Sequence, residues 1–129
     1  AHVPPGCEIA FDRITPEEAW PGSSFDVALC IDVLHHVPKA DQRAFVKSLA
    51  RPAQRIVLKD VSPKPFWMGM ANVVTDLVVN RQLVHLVDEQ DVATWLREEG
   101  FEIVENKRIH ALLYSHYVMV ADRTRAVSS

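Results

Sequence analysis

An α/β fold, with a mostly parallel sheet, a C-terminal antiparallel hairpin and helices on both faces, is predicted by three observations. Two short apolar runs, "FDVALCI" at 25–31 and "RIVLKDV" at 55–61, read as strands buried in a sheet. A stretch of helical spacing separates them, and a strand, helix and strand in that order make the right-handed crossover unit of a parallel sheet. Two further strand-like stretches, "FEIVENKRI" (101–109) and "SHYVMVADR" (115–123), lie close enough in sequence to form a hairpin.

The elements follow in order. "CEIAFDRI" (7–14) is a partly alternating apolar stretch that predicts a short first strand, and "TPEEAWPGSS" (15–24), rich in proline, glycine and serine, is the loop that ends it. "FDVALCI" holds five consecutive apolar residues after Asp26, as a strand covered on both faces requires. In "PKADQRAFVKSLA" (38–50), Phe45, Val46 and Leu49 recur at helical spacing, whereas Lys39, Gln42, Arg43 and Lys47 fall largely elsewhere, which predicts an amphipathic helix. "PFWMGMANVVTDLVVN" (65–80) predicts a helix apolar nearly all round, with Asn72, Thr75, Asp76 and Asn80 as one narrow polar stripe. In "DEQDVATWLREEG" (88–100), Asp88 is placed to cap a helix, Val92, Trp95 and Leu96 form its inward stripe, and Gly100 suits a left-handed stop.

The totals set the class. With 129 residues, 48% of them hydrophobic and 24% charged, the chain is expected to form a single globular domain over residues 1–129. A net charge of -3 argues against a nucleic-acid binder, which carries a basic face. Cys7 and Cys30 are the only cysteines, so no disulfide framework is expected and a reducing cytoplasm is the predicted location. No run reaches the roughly 18 apolar residues of a membrane span. Ligands of open α/β sheets sit beyond the carboxyl ends of the strands, and the strand assignments alone bring Asp12, Arg13, Ile31, Asp32, His35, His36 and Asp60 to that crevice. A metal site is not expected, since adjacent histidines rarely chelate one ion and no carboxylate or thiol cluster completes a set.

Three segments carry a family resemblance. "SSFDVALCIDVLHHVP" is similar to the fourth-strand segment of the class I S-adenosylmethionine-dependent methyltransferases, "RIVLKDV" to their fifth strand, and "WLREEGFEIVE" to the approach to their sixth. The order and spacing of the three resemble the C-terminal part of that Rossmann-like domain, from about Glu8 onward. The resemblance implies a sheet in which the family's fourth, fifth, seventh and sixth strands lie side by side, with its first strand beside the fourth. It also implies S-adenosylmethionine as cofactor. Asp12 and Arg13 resemble the position that reads the adenine, and Cys30, Ile31 and Asp32 resemble the strand end beneath the methionine part. His35 is expected to face the pocket as a base or orienting group, with His36 a structural, hydrogen-bonded neighbour that borders the substrate side. Asp60, Trp67 and His85 complete the substrate-side set, and Met68 and Met70 line an apolar pocket beside Trp67.

The family's glycine-rich cofactor turn has no counterpart here: Gly6, Gly22, Gly69 and Gly100 form no G-x-G pattern. A domain without its first two strands leaves "EIAFDR" without a neighbour and one apolar edge of "FDVALCI" bare, which natural proteins avoid. Either the chain, which begins at Ala1, is a fragment of a longer enzyme, or it pairs that edge with a second copy or with its own first strand. Two functions follow. One is a methyltransferase, or part of one, acting on a small or lipid-like acceptor. The other is a truncated, catalytically silent module that dimerises through the open edge and no longer binds the cofactor. A nicotinamide-dependent reductase ranks behind both, since it too needs a glycine-rich turn.

Overall fold

The computed structural model describes residues 4–11, 13, 24–62, 85–111 and 114–125. Strand β1 (Phe25–Ile31) leads through a 3-10 turn (Leu34–His36) into helix α1 (Lys39–Ala50), and β2 (Ala53–Val61) follows. Helix α2 (Glu89–Glu98), β3 (Phe101–Ala111) and β4 (Tyr114–Arg123) complete the described elements. The strands lie in the order β1-β2-β4-β3. β1 and β2 are parallel, with Val27 opposite Arg55 and Ile31 opposite Lys59, while β4 runs antiparallel to both of its neighbours. The α/β sheet has the strand order that the resemblance implies, mixed rather than uniform in strand direction, with β4 inserted between β2 and β3.

Each helix has a local cause. Asp88 caps α2, its Oδ1 accepting from the Gln90 N–H at 2.8 Å, and Gly100 at φ +84° ends the helix in a conformation costly for any residue with a Cβ. Glu98 of α2 meets Arg43 and Lys47 of α1 at 2.7 and 3.0 Å, joining the exposed sides of the two helices. Their apolar stripes share one core with one face of the sheet: Val46, Leu49, Val92 and Leu96 pack with Cys30, Ile56, Leu58 and Met119. Burial of each such large side chain contributes about 1.5–3 kcal/mol before the cost of ordering the chain. The half-buried Arg123 packs over the buried Phe101, its guanidinium 4.7 Å above the ring.

Among the described residues the opposite face of the sheet has no helix on it. Phe25, Val27, Leu29 and Ile31 are all exposed, whereas Cys30 is buried under α1. Among the described residues, β1 is thus covered on the helix side alone. Residues 7–11, predicted as a strand, have no strand conformation and are exposed, because no described element offers them a partner ladder. Among the described residues the edge of β1 away from β2 has no paired strand, and Phe25, Val27, Ala28, Leu29, Leu49 and Pro52 line an apolar groove of about 170 Å³ beside it. The predicted helix over 65–80, with Trp67, Met68 and Met70, lies outside the described residues, as do Asp12 and most of the 15–24 loop. Among the described residues no helix is long and apolar enough to cross a membrane.

Candidate active site at the histidine turn

At the carboxyl end of β1 the chain must turn sharply, and Asp32 does so at φ 56°, the one positive φ among described residues other than glycine. Its backbone N–H donates to the Lys59 carbonyl at 2.8 Å, and the Lys59 ammonium donates to both of its carboxylate oxygens, at 2.9 and 3.2 Å. His116 of β4 stands 4.0 Å from the same carboxylate. The exposed Ile31 and Val33 flank this turn, so the crevice wall carries one charged cluster between apolar side chains.

The 3-10 turn that follows separates the two histidines. His35 points inward, 7% exposed, and His36 is exposed. This reverses the expected orientation, in which His35 opened to the pocket and His36 was the hydrogen-bonded partner. The reason is Asp60, whose carboxylate is fully buried on the helix-covered face of β2 and must be satisfied there. Asp60 Oδ1 lies 2.5 Å from His35 Nδ1 and accepts from the Val61 N–H at 2.7 Å, while Oδ2 accepts from the His35 backbone N–H at 3.2 Å. Asp60, expected on the substrate side, is therefore enclosed and acts on His35 instead. The two imidazole rings remain in contact, with centroids 4.0 Å apart.

His85 joins the same cluster through its backbone. Its N–H donates to the His35 carbonyl at 2.7 Å, and its own carbonyl accepts from Gln42 Nε2 at 2.7 Å. Gln42 Nε2 also faces the carbonyls of Leu34 and Val37, at 3.3 and 3.2 Å, and so clasps both ends of the turn from α1. Sequence reasoning had counted Gln42 with the outward residues of its helix. The signal was present, since Gln42 stands three, four and seven residues before Phe45, Val46 and Leu49 and thus on their stripe. Lys59 was also missed; only the β1–β2 register sets it beside the Asp32 turn.

The remaining candidates divide. Ile31 and Asp32 sit at the strand end as expected, and Arg13 is exposed in the N-terminal segment. Cys30 offers no thiolate: burial, with the Asp60 and Asp32 carboxylates adding, pushes its thiol up to about 12. Burial likewise holds the Tyr117 phenol well above its ordinary range, with Asp60 the next cause. Asp12 and Trp67 lie outside the described residues. Among the described residues no group of three histidine, cysteine, aspartate or glutamate side chains converges as a metal site.

The chain is similar to known proteins in sequence and in fold. The chain is 25% identical over 116 residues to a magnesium-protoporphyrin O-methyltransferase of Synechocystis sp., the match covering 86% of this chain and 50% of that protein. It spans about half the length of that curated relative. The crystal structure of magnesium protoporphyrin IX methyltransferase from Synechocystis with bound SAH superposes with a TM-score of 0.65 at 25% identity, over 80% of this chain and 47% of that one. An S-adenosylmethionine-dependent methyltransferase from Mesorhizobium loti shares the fold, with a TM-score of 0.70 at 16% identity over 92% of this chain and 71% of that one. So does a 1,6-didemethyltoxoflavin-N1-methyltransferase from Burkholderia thailandensis, with a TM-score of 0.62 at 17% identity over 87% of this chain and 49% of that one. A family model for the methyltransferase domain matches residues 6–106, and the chain belongs to that family.

Proposed function

We propose that the chain is the C-terminal part of an S-adenosylmethionine-dependent methyltransferase acting on a small or lipid-like acceptor. The observation that carries this is the histidine turn: an exposed His36 held on a rigid turn at the carboxyl end of β1, beside Asp32 and the exposed Ile31 and Val33. That is where open α/β sheets bind ligands. The side chains present fit one wall of the cofactor site. Ile31 and Val33 offer apolar surface to the methionine chain, and Asp32 turns the backbone beneath it, whereas the glycine-rich wall is absent from this sequence. S-adenosylmethionine, when bound, supplies an electrophilic methyl group. His36 borders the acceptor and orients it or takes its proton, and His35 acts on the reaction through His36. The O- and N-methyltransferases among its relatives support an acceptor with a heteroatom nucleophile.

The test, on the chain extended at its N-terminus by a strand, a glycine-rich turn and a helix, is transfer of an isotopically labelled methyl group from S-adenosylmethionine to a panel of small hydroxyl, carboxyl and amine acceptors, read by mass. The expected result is label on at least one acceptor and a loss of about 10²-fold or more in His36→Ala. Transfer unchanged in H36A would remove His36 from the site, and no transfer to any acceptor would count against the activity.

The β1 edge, unpaired among the described residues, favours a second reading, a silent module that dimerises there. Sedimentation and cofactor titration together separate the two: a stable dimer whose N-terminally extended version also binds no cofactor supports the second.

A further inference from the structure

The buried pair behind the turn has a use that a purely structural ion pair would not. Asp60 is fully enclosed, and its carboxylate takes the His35 backbone N–H, the His35 ring at Nδ1 and the Val61 N–H. Where Asp60 is the ionised acceptor, the 2.5 Å contact carries the imidazole proton on Nδ1, donated to Asp60 Oδ1. The backbone link fixes where residue 35 begins and the ring link fixes its rotamer, so His35 has no freedom of its own. Gln42 holds the carbonyls of Leu34, Val37 and His85, which locks the turn on the side away from Asp60. His36 follows directly, its ring 4.0 Å from that of His35. A side chain exposed at the crevice thus rests against one whose position is set by a buried charge on the neighbouring strand.

We infer that Asp60 is a positioning residue: through the Nδ1–H form of His35 it places the His36 ring at the crevice. The inference rests on the role proposed for His36, and it adds a residue that meets neither cofactor nor acceptor. Its chemistry matches the general rule that a functional group is held to the required geometry by a supporting shell of satisfied hydrogen bonds. No bond is made or broken in it; the proton stays on His35 Nδ1 and the negative charge on Asp60.

The test is NMR of the histidine ring nitrogens in the full chain at about pH 8, where an unperturbed imidazole is neutral. The expected result is a proton on His35 Nδ1. In Asp60→Asn, which cannot accept at both of its polar atoms, that proton exchanges with solvent about tenfold faster, the equivalent of one weakened hydrogen bond, and the His36 ring resonances shift. His35→Asn, whose amide is able to donate to Asp60, is expected to shift the His36 ring as well. A bare Nδ1 on His35 in the wild-type chain overturns the inference, and so do unmoved His36 resonances in either folded variant. Should neither variant fold, the wild-type Nδ1 signal alone decides. None of these signals needs cofactor or acceptor, so failure of methyl transfer leaves this result intact, and the reverse holds too.

Discussion

Lys59 of β2 reaches the Asp32 carboxylate of the neighbouring turn, 2.9 Å from one oxygen, and so braces the one non-glycine residue held at positive φ among those described. Both side chains are partly exposed, at 32% and 44%, so the ion pair itself is worth at most about 1 kcal/mol. The backbone conformation matters more. Aspartate tolerates the left-handed region and a β-branched residue does not. Asp32→Val is expected to lower stability by about 1–3 kcal/mol, and Asp32→Gly to lower it less than the valine. Lys59→Met is expected to change it by under about 1 kcal/mol. Urea unfolding of the three variants checks the order; a valine variant as stable as the glycine one would contradict the strain.

Arg123 is expected to be a larger single contributor. Its guanidinium lies over Phe101 and donates to the carbonyls of Ala50, Arg51 and Ala53, the groups left over where α1 ends and β2 begins. Arg123→Ala removes these partners together and should lower stability by about 2–4 kcal/mol. Arg123→Lys should recover only part of this, because an ammonium lacks the planar fork. Thermal and urea unfolding measure both, and equal stability of the lysine variant and the parent would show that charge alone suffices.

Alkaline pH should destabilise the fold through Cys30. Its folded thiol titrates at about 12 against an ordinary 9.0, so the native state keeps a proton that the unfolded chain gives up. The associated stability is fully present below about 9 and is lost as pH rises toward 12, by about 1.4 kcal/mol per pH unit. Tyr117, raised from 10.0, adds in the same direction above that value. Urea midpoints across this range should fall in the parent and fall less steeply in Cys30→Ala. A flat profile in the parent would mean that the thiol is reached by water.

Leu29 tests the sheet face that has no helix on it among the described residues. It is 64% exposed on the strand whose Cys30 is buried on the other side. Leu29→Glu should therefore leave stability within about 0.5 kcal/mol while lowering any self-association seen by sedimentation. A loss of several kcal/mol would mean that this face is covered within the chain.

Much of the fold was legible because its signals are local. Apolar runs marked β1 and β2, helical spacing marked α1, and Asp88 with Gly100 bracketed α2 almost to the residue. The terminal hairpin followed from two alternating stretches. What the sequence hid is long-range. Whether His35 or His36 turns inward depends on Asp60, 25 residues from His35, and adjacency in sequence says only that the two differ in direction. The same Asp60 reads as a crevice residue from its strand position, yet the pleat turns it to the covered face. An apolar run such as "FDVALCI" asks for cover on both faces, but nothing in the run says which element provides it.

In the proposed function the strand end at residues 31–33 forms one wall of an S-adenosylmethionine site, and the glycine-rich turn has no counterpart in residues 1–129. Titration calorimetry with S-adenosylhomocysteine tests it most directly, comparing residues 1–129 with a version extended at the N-terminus by a strand, a glycine-rich turn and a helix. Clear binding by the extended version and weaker or no binding by residues 1–129 is the expected result. No binding by either would contradict it.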